Sequence, residues 1–276
     1  MSVDLPIGWS QTVSSNAKVI QSIITADQLI QRFKALGLEA GDVVEVHASM
    51  RALGFVLGSA HAVLEAFLDV LTPTGTLVMS AQAWDNSEPA HFTRPPLEVG
   101  LYAQFRAQHP PFQGRFENLS NMGALAMAMQ KHPDVRFSTH PQVAFMALGQ
   151  HAEAIVANHP LADMFSAQSP LGKLYELDAK IVLIGVDYDA CTAMHLAEHL
   201  SGVRPYQVQG SRVLVNGHAE WQSFLSYRYD SDDFKAIGAA MEMNQLVQTH
   251  RLGSTKVKVM RMRAITDFTQ RYFEEL

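Results

Sequence analysis

The stretch from Gly185 to His199, Gly-Val-Asp-Tyr-Asp-Ala-Cys-Thr-Ala-Met-His-Leu-Ala-Glu-His, concentrates the side chains of this chain that could do chemistry. It runs off the apolar segment Ile181-Val-Leu-Ile into a segment with helical spacing. At 3.6 residues per turn, Cys191, Thr192, His195, Glu198 and His199 fall within roughly a third of the helix circumference. Glu198 is one turn from His195, so its carboxylate can orient the imidazole and stabilise its protonated form. A histidine held this way can take a proton from an amine at neutral pH. Thr192, read as part of the first turn, can donate its hydroxyl to a developing oxyanion.

The same residues admit other readings. A His–Glu pair at i, i+3 also stabilises a plain surface helix. His195, Glu198 and His199 match an H-x-x-E-H zinc pattern, which needs a third ligand such as Glu274 or Glu275 for a zinc-dependent hydrolase. Cys191, four residues before His195, would suit a covalent acyl transferase if it were a thiolate, and a packed apolar site if it were not.

Composition narrows the classes. The chain has 276 residues, 47% of them hydrophobic and 17% charged, which suits a globular protein with a full core. No apolar run reaches eighteen residues, so no membrane span is expected. The N-terminus has neither a basic start nor an apolar segment of signal type. A single cysteine excludes an internal disulfide framework and fits a cytoplasmic location. The formal charge of −6 disfavours nucleic acid and would attract a polycationic ligand.

The elements that must carry the site follow from periodicity. Residues 1–24 read as an N-terminal arm. Thr25 and Gln28 form a capping-box pattern ahead of Leu29, Ile30, Phe33 and Leu36. Asp42 to His47 reads as a buried strand, and Val63, Leu64, Phe67, Leu68 and Leu71 as one face of a helix. Thr76 to Ala81 reads as a second strand, and a crossover of this length implies a parallel pair. Residues 84–120, with Pro95-Pro96 and Pro110-Pro111, form a long loop region of the functional kind. Val143 to Leu148 and Lys180 to Val186 are further strands. Asn216-Gly217 marks a hairpin within an antiparallel portion spanning 206–264, and a closing helix runs from Thr266 to Leu276. The expected architecture is one α/β domain over 1–276, a mostly parallel central sheet with flanking helices and an antiparallel C-terminal extension.

These segments, taken in order, resemble the aminoglycoside 3-N-acetyltransferase family. The resemblance rests on Ser169-Pro170-Leu171, on Ile181 to Gly185, and on Thr192-Ala-Met-His195-Leu-Ala-Glu198. It extends upstream through Val46-His-Ala-Ser-Met-Arg-Ala-Leu-Gly54, Trp84-Asp85, Pro95-Pro96, Met122-Gly123 and Ser138-Thr-His-Pro141, and downstream to Asp232-Asp233-Phe234 and Gly253. It implies a fold distinct from the small GNAT acetyltransferases and direct acetyl transfer from acetyl-CoA to an amine in a ternary complex, without a metal. His195 would be the general base, Glu198 its orienting partner and Thr192 the oxyanion donor. Coenzyme A would lie on the loop of His47, Ser49, Met50, Arg51 and Gly54, with Ser138 and His140 as a second wall. An aminoglycoside, a polycation, calls for carboxylates and an aromatic platform. Trp84, Asp85 and Asp233 are the candidates, with Glu88 beside them.

The chain departs from the family pattern at Met127 and Phe137, where a glutamate and an arginine are common, and at Cys191, often an asparagine. These departures leave open an acetyltransferase for a different amine and a non-catalytic coenzyme A-binding paralogue. A homodimer also stays open.

Overall fold

The computed structural model describes Ile20 and residues 22–275. The expected N-terminal arm therefore lies outside the described residues except at its end, where Ile24 bridges to Val56. Helix α1 (Ala26–Ala35) begins at the expected capping box, with Gln28 N–H donating to the Thr25 hydroxyl and Thr25 N–H donating to the Gln28 side chain. Strand β1 (Val43–Ala48) runs into the single-turn helix α2 (Met50–Leu53), then helix α3 (Ser59–Leu71) and strand β2 (Thr76–Gln82). β1 and β2 pair in parallel, as their crossover requires.

The long loop region is more structured than its proline content suggests. It holds helix α4 (Tyr102–Gln108) between short 3-10 turns. Helix α5 (Ala124–Gln130), strands β3 (Arg136–Phe137) and β4 (Val143–Gly149), and helices α6 (Ala152–Val156) and α7 (Pro170–Glu176) follow. Strand β5 (Lys180–Ile184) leads to helix α8 (Met194–Ser201). The hairpin is longer than its turn signal implied, pairing β6 (Tyr206–Val215) with β7 (His218–Tyr227) over ten residues each. Asn216 and Gly217, with φ of 50° and 81°, make the tight turn. Helix α9 (Phe234–Met243), strands β8 (Val247–Leu252) and β9 (Thr255–Arg261), and helix α10 (Met262–Glu274) complete the chain.

Seven strands form one sheet in the order β3-β4-β2-β1-β5-β9-β8. The α/β class is as expected, but the parallel part is smaller than the sequence suggested. Only β2, β1 and β5 run parallel; β4 and β9 pair antiparallel on either side of them. A parallel return needs a crossover over the sheet face, whereas β8 and β9 are joined by a two-residue turn at Gly253 that enforces an antiparallel pair. The expected antiparallel extension is thus two structures. β8 and β9 extend the main sheet, while β6 and β7 form a separate ribbon.

Both sheet faces are covered. Val44, Val46, Leu77, Met79, Val182 and Ile184 pack against α1, α3 and α5. Val43, Val78, Ile181 and Leu183 pack with residues of α7 to α10. Strands buried on both sides read as near-continuous apolar runs, which is what β5 shows. The ribbon is tied to the loop region: the Asn86 side chain donates to the Arg212 carbonyl at 2.9 Å and accepts the Arg212 N–H at 2.7 Å. Among the described residues no helix is long and apolar enough to cross a membrane.

The turn after β5 must pass very close to α2. Gly185 has φ of 63°, and a Cβ there would lie 2.2 Å from the Cβ of Ala52. Glycine is therefore required twice over, for conformation and for space. Replacing Gly185 with Ala should destabilise the fold by roughly 1–3 kcal/mol by overpacking. A urea midpoint equal to that of the unmodified protein would contradict this packing account.

Candidate active site

The carboxyl ends of β1, β2 and β5 open onto a cleft of about 770 Å³. Ends of parallel strands are where sites in α/β sheets assemble, because the connecting loops diverge there. His47, Ser49, Met50, Arg51, Ser80, Trp84, Thr192 and His195 line this cleft, together with Phe165, Asp189 and Tyr229. Most of the expected catalytic and coenzyme-binding residues thus meet in one place.

His195 projects from the first turn of α8. Its Nδ1 lies 2.5 Å from Glu198 Oε2. An ionised carboxylate can only accept, so Nδ1 carries the hydrogen and Nε2 holds the lone pair. The ring is fixed by Phe165, stacked at 4.7 Å and 10°, and by Phe234 and Tyr229 at 4.9 and 5.7 Å. This is a histidine with one nitrogen committed and the other left for a substrate in the cleft.

Glu198 is fully buried, and both of its oxygens are engaged by charged or strongly polar groups. Oε1 accepts from Arg204 Nε and from the Asp230 N–H at 2.9 Å, while Oε2 faces His195. Arg204 in turn donates to Asp233 Oδ2 and to the Asp230 carbonyl, both at 2.8 Å. Burial disfavours the Arg204 charge, but the hydrogen bonds and charges of Glu198 and Asp233 outweigh it and raise the guanidinium above its usual range. Asp233 therefore acts through Arg204 and does not line the cleft, a correction to its expected place on the substrate wall. Its position is set by the ion pair, which spends the carboxylate on Arg204.

Thr192 lies before α8, not within its first turn. Asp187 caps a short 3-10 turn over Tyr188–Ala190, and the bonds from Met194 to Cys191 and from His195 to Thr192 span three residues. The tight turn directs Thr192 into the cleft, where its hydroxyl is 3.1 Å from that of Ser80. Tyr188 anchors the turn. Its ring lies under Lys258 at 3.5 Å, its hydroxyl donates to Glu242 at 2.8 Å, and only a glycine at 238 leaves it room.

On the opposite wall, Ser49 caps α2 by accepting the Ala52 N–H at 3.3 Å. Gly54 ends that helix with φ of 84° but is not among the cleft residues; its glycine serves the turn rather than approach to a ligand. Trp84 lines the cleft, half-exposed, with its indole N–H donated to Gln82 at 2.9 Å. Asp85 is exposed and is not among the residues lining the cleft. Glu88 is buried in an ion pair with Arg106 at 2.5 Å. Among the described residues the acidic group that does line the cleft is Asp189, which spacing alone did not single out and which is ion-paired with Lys235 at 2.7 Å.

Ser138 and His140 are separated from this cleft and border a second cavity of about 580 Å³. Both are buried in a hydrogen-bond network that leaves them no free polar atom for a ligand. His140 Nδ1 accepts the N–H groups of Gln142 and Val143 at 3.1 Å, and its Nε2 donates to the Leu161 carbonyl at 3.2 Å. Ser138 accepts the Phe145 N–H at 2.8 Å and donates to His159 Nδ1 at 2.9 Å, while His159 Nε2 donates to the Met164 carbonyl at 2.7 Å. Burial, then the neighbouring His159, holds His140 well below the usual histidine range. The expected second wall is a structural knot.

The rival chemistries find less support in the geometry. His199 Nδ1 is bonded to the Tyr229 hydroxyl at 2.7 Å, and the Glu198 carboxylate is taken by His195 and Arg204. The three residues of the zinc pattern therefore do not converge. Among the described residues no three His, Cys, Asp or Glu side chains gather to hold a metal ion. Cys191 is buried, and burial followed by the charge of Glu45 pushes its thiol up, so it is a packing residue in its protonated form.

Comparison with known proteins gives the family. The aminoglycoside 3-N-acetyltransferase family model matches residues 46–274. The SPbeta prophage-derived aminoglycoside N(3')-acetyltransferase-like protein YokD of Bacillus subtilis (strain 168) is 30% identical over 260 residues, 93% of this chain and 96% of that protein. The crystal structure of YokD superposes with a TM-score of 0.90, covering 92% of this chain and 95% of its own. Aminoglycoside N(3)-acetyltransferase VII of Streptomyces paromomycinus is 30% identical over 270 residues, 91% of this chain and 92% of its own. The chain belongs to the aminoglycoside 3-N-acetyltransferase family, and it is an acetyltransferase.

The knot away from the cleft has a measurable signature. Burial holds His159 at about 4, against 6.5 for an ordinary histidine, despite its bond to Met164. The unfolded chain therefore takes up a proton that the folded chain refuses. Stability from this group is complete above pH 6.5 and falls as the pH drops towards 4, by about 3 kcal/mol in all. Urea unfolding at stepped pH should show this loss, and His159→Gln should flatten it. Equal pH slopes for the two proteins would refute the assignment.

Proposed function

We propose that this chain transfers the acetyl group of acetyl-CoA directly to an amine of an aminoglycoside-type polycation, with His195 as general base. The observation that carries this reading is the 2.5 Å bond from His195 Nδ1 to buried Glu198, which leaves Nε2 as the basic atom of the ring in the cleft. As Nε2 takes the amine proton, the imidazolium that forms is balanced by Glu198. Arg204 keeps that carboxylate in place. If Ser80 donates to Thr192, the Thr192 hydroxyl hydrogen is free to meet the oxyanion that develops on the acetyl carbonyl. Arg51, exposed at the cleft, would meet phosphate oxygens of coenzyme A, with Ser49 and Met50 beside it. Trp84 supplies an aromatic face for a polycation, and Asp189, paired with Lys235 at 2.7 Å, the acidic group a cationic amine would compete for.

The test is a panel of aminoglycosides and simple amines incubated with acetyl-CoA, followed by free thiol release, with the acetylated position read by NMR. His195→Ala should lower kcat by about 10²–10⁴-fold while coenzyme A affinity stays unchanged. Substantial turnover by that variant would overturn the base assignment. Stoichiometric zinc, with activity lost to a chelator, would overturn the metal-free reading.

A further inference from the structure

The cleft contains a second imidazole–carboxylate pair. His47, at the end of β1, lines the cleft, and its Nε2 lies 3.2 Å from Oε1 of Glu45. Glu45 is fully buried, and its Oε2 has no hydrogen-bond partner among the described residues. It stands on the sheet face of Val43, in register with Val78 on one side and Ile181 on the other. A carboxylate in such apolar surroundings destabilises the fold unless a cation or donor compensates it. His47 is the hydrogen-bonding partner it has, and an ionised Glu45 meets a full positive charge there only when His47 carries both ring protons.

The position of His47 is as informative as its partner. The parallel register of β1 with β2 pairs Glu45 with Val78, and His47 and Ser80, each two residues further along its strand, both line the cleft. Ser80 is the residue whose hydroxyl meets Thr192. His47, Ser80 and Thr192 therefore make one row of cleft-lining side chains, with His195 one turn beyond Thr192. The other charged or titratable groups facing this row are Arg51, Asp189, His195 and Tyr229, with Cys191 beneath. Burial and then Glu45 push the Cys191 thiol up, so no thiolate competes there for a proton.

Resting on the acetyl-transfer reading, which requires a thioester donor, we propose that His47 is the general acid that protonates the departing thiolate, and that Glu45 is its positioning residue. The amine nitrogen forms a bond to the acetyl carbon and gives its proton to His195 Nε2. The carbon–sulfur bond breaks, and its electron pair stays on sulfur. The Nδ1 proton of cationic His47 passes to that sulfur, leaving neutral His47 with Nε2–H still donated to Glu45. His195 then releases its proton to solvent and His47 takes one up, so the sum is amine plus thioester to amide plus thiol. Two histidines, each on its own carboxylate, divide the two proton transfers.

The experiment compares the unmodified protein with His47→Gln and Glu45→Gln in thiol-release assays from neutral to alkaline pH. Coenzyme A affinity is measured by calorimetry and folding by circular dichroism. His47→Gln should lower kcat by about 10²-fold and lose the alkaline fall in rate, with any change in coenzyme A affinity too small to account for the loss. Glu45→Gln should lower kcat less, and should move the alkaline fall to lower pH. A His47→Gln protein with unchanged kcat, or one that loses only coenzyme A affinity, overturns the proposal and leaves the His195 reading standing. If His47→Gln does not fold, an alkaline limb unmoved in Glu45→Gln overturns it instead. An unmodified protein that releases no thiol with any amine overturns both readings together.

Discussion

The fully buried carboxylate of Glu198 is the constraint on which the active region depends. A lone charge in that position would be heavily penalised, so the chain must bring it partners from elsewhere. It does so from three segments: His195 on the same helix, Arg204 after the helix, and the Asp230 backbone beyond the ribbon. Arg204 then draws in Asp233, at the start of α9. One carboxylate thereby fixes α8, the chain entering β6 and the chain leaving β7 relative to one another. Its removal would leave half-buried Arg204 without one of its two carboxylate partners, a larger change than the loss of one hydrogen bond.

The sheet supplies the complementary constraint on the other wall. Only three parallel strands are needed to form the cleft, because the cleft is made where β1, β2 and β5 all end in the same direction. The antiparallel strands outside them extend and bury the core, and the loop entering β4 and the β8–β9 turn come to the same end of the sheet, beside Gln82 and Ile184. The two walls are held at contact distance where Gly185 passes Ala52, so the turn carrying Thr192 and the loop carrying Ser49 and Arg51 cannot drift apart independently. Packing at that point sets the width of the cleft as much as any residue lining it.

What the sequence makes legible here is local. The His195–Glu198 pair, the Thr25 capping box and the Asn216-Gly217 turn are all relations between residues a few positions apart, and each is found in the structure. Arg204 and Tyr229 escape such reading, since their roles exist only after α8, the ribbon and the following loop have packed together. Glu45 escapes it too: the segment reads as a buried strand, but that its carboxylate lies between Val78 and Ile181 is known only once both neighbouring strands are in register. Ser138 and His140 show the opposite error. Their residue types suggest a ligand wall, yet backbone N–H groups and carbonyls consume every polar atom they have. Residue type announces chemistry, and only the hydrogen-bond inventory says whether any of it is left over.

That inventory separates the buried and half-buried histidines from one another. His140 accepts at Nδ1 from two backbone N–H groups, so it is held neutral with Nε2 as its donor, and it has nothing to offer a substrate. His159 is neutral for a like reason, through Ser138 and the Met164 carbonyl. His199 meets a tyrosine hydroxyl, and burial lowers it against the opposing charge of Asp163. His195 differs in the one respect that decides its use. Its Nδ1 faces a carboxylate, which fixes the lone pair on Nε2 and stands ready to balance the charge once that lone pair is used. The imidazoles are chemically identical; the atom opposite Nδ1 makes His195 a base and leaves His140, His159 and His199 part of the scaffold.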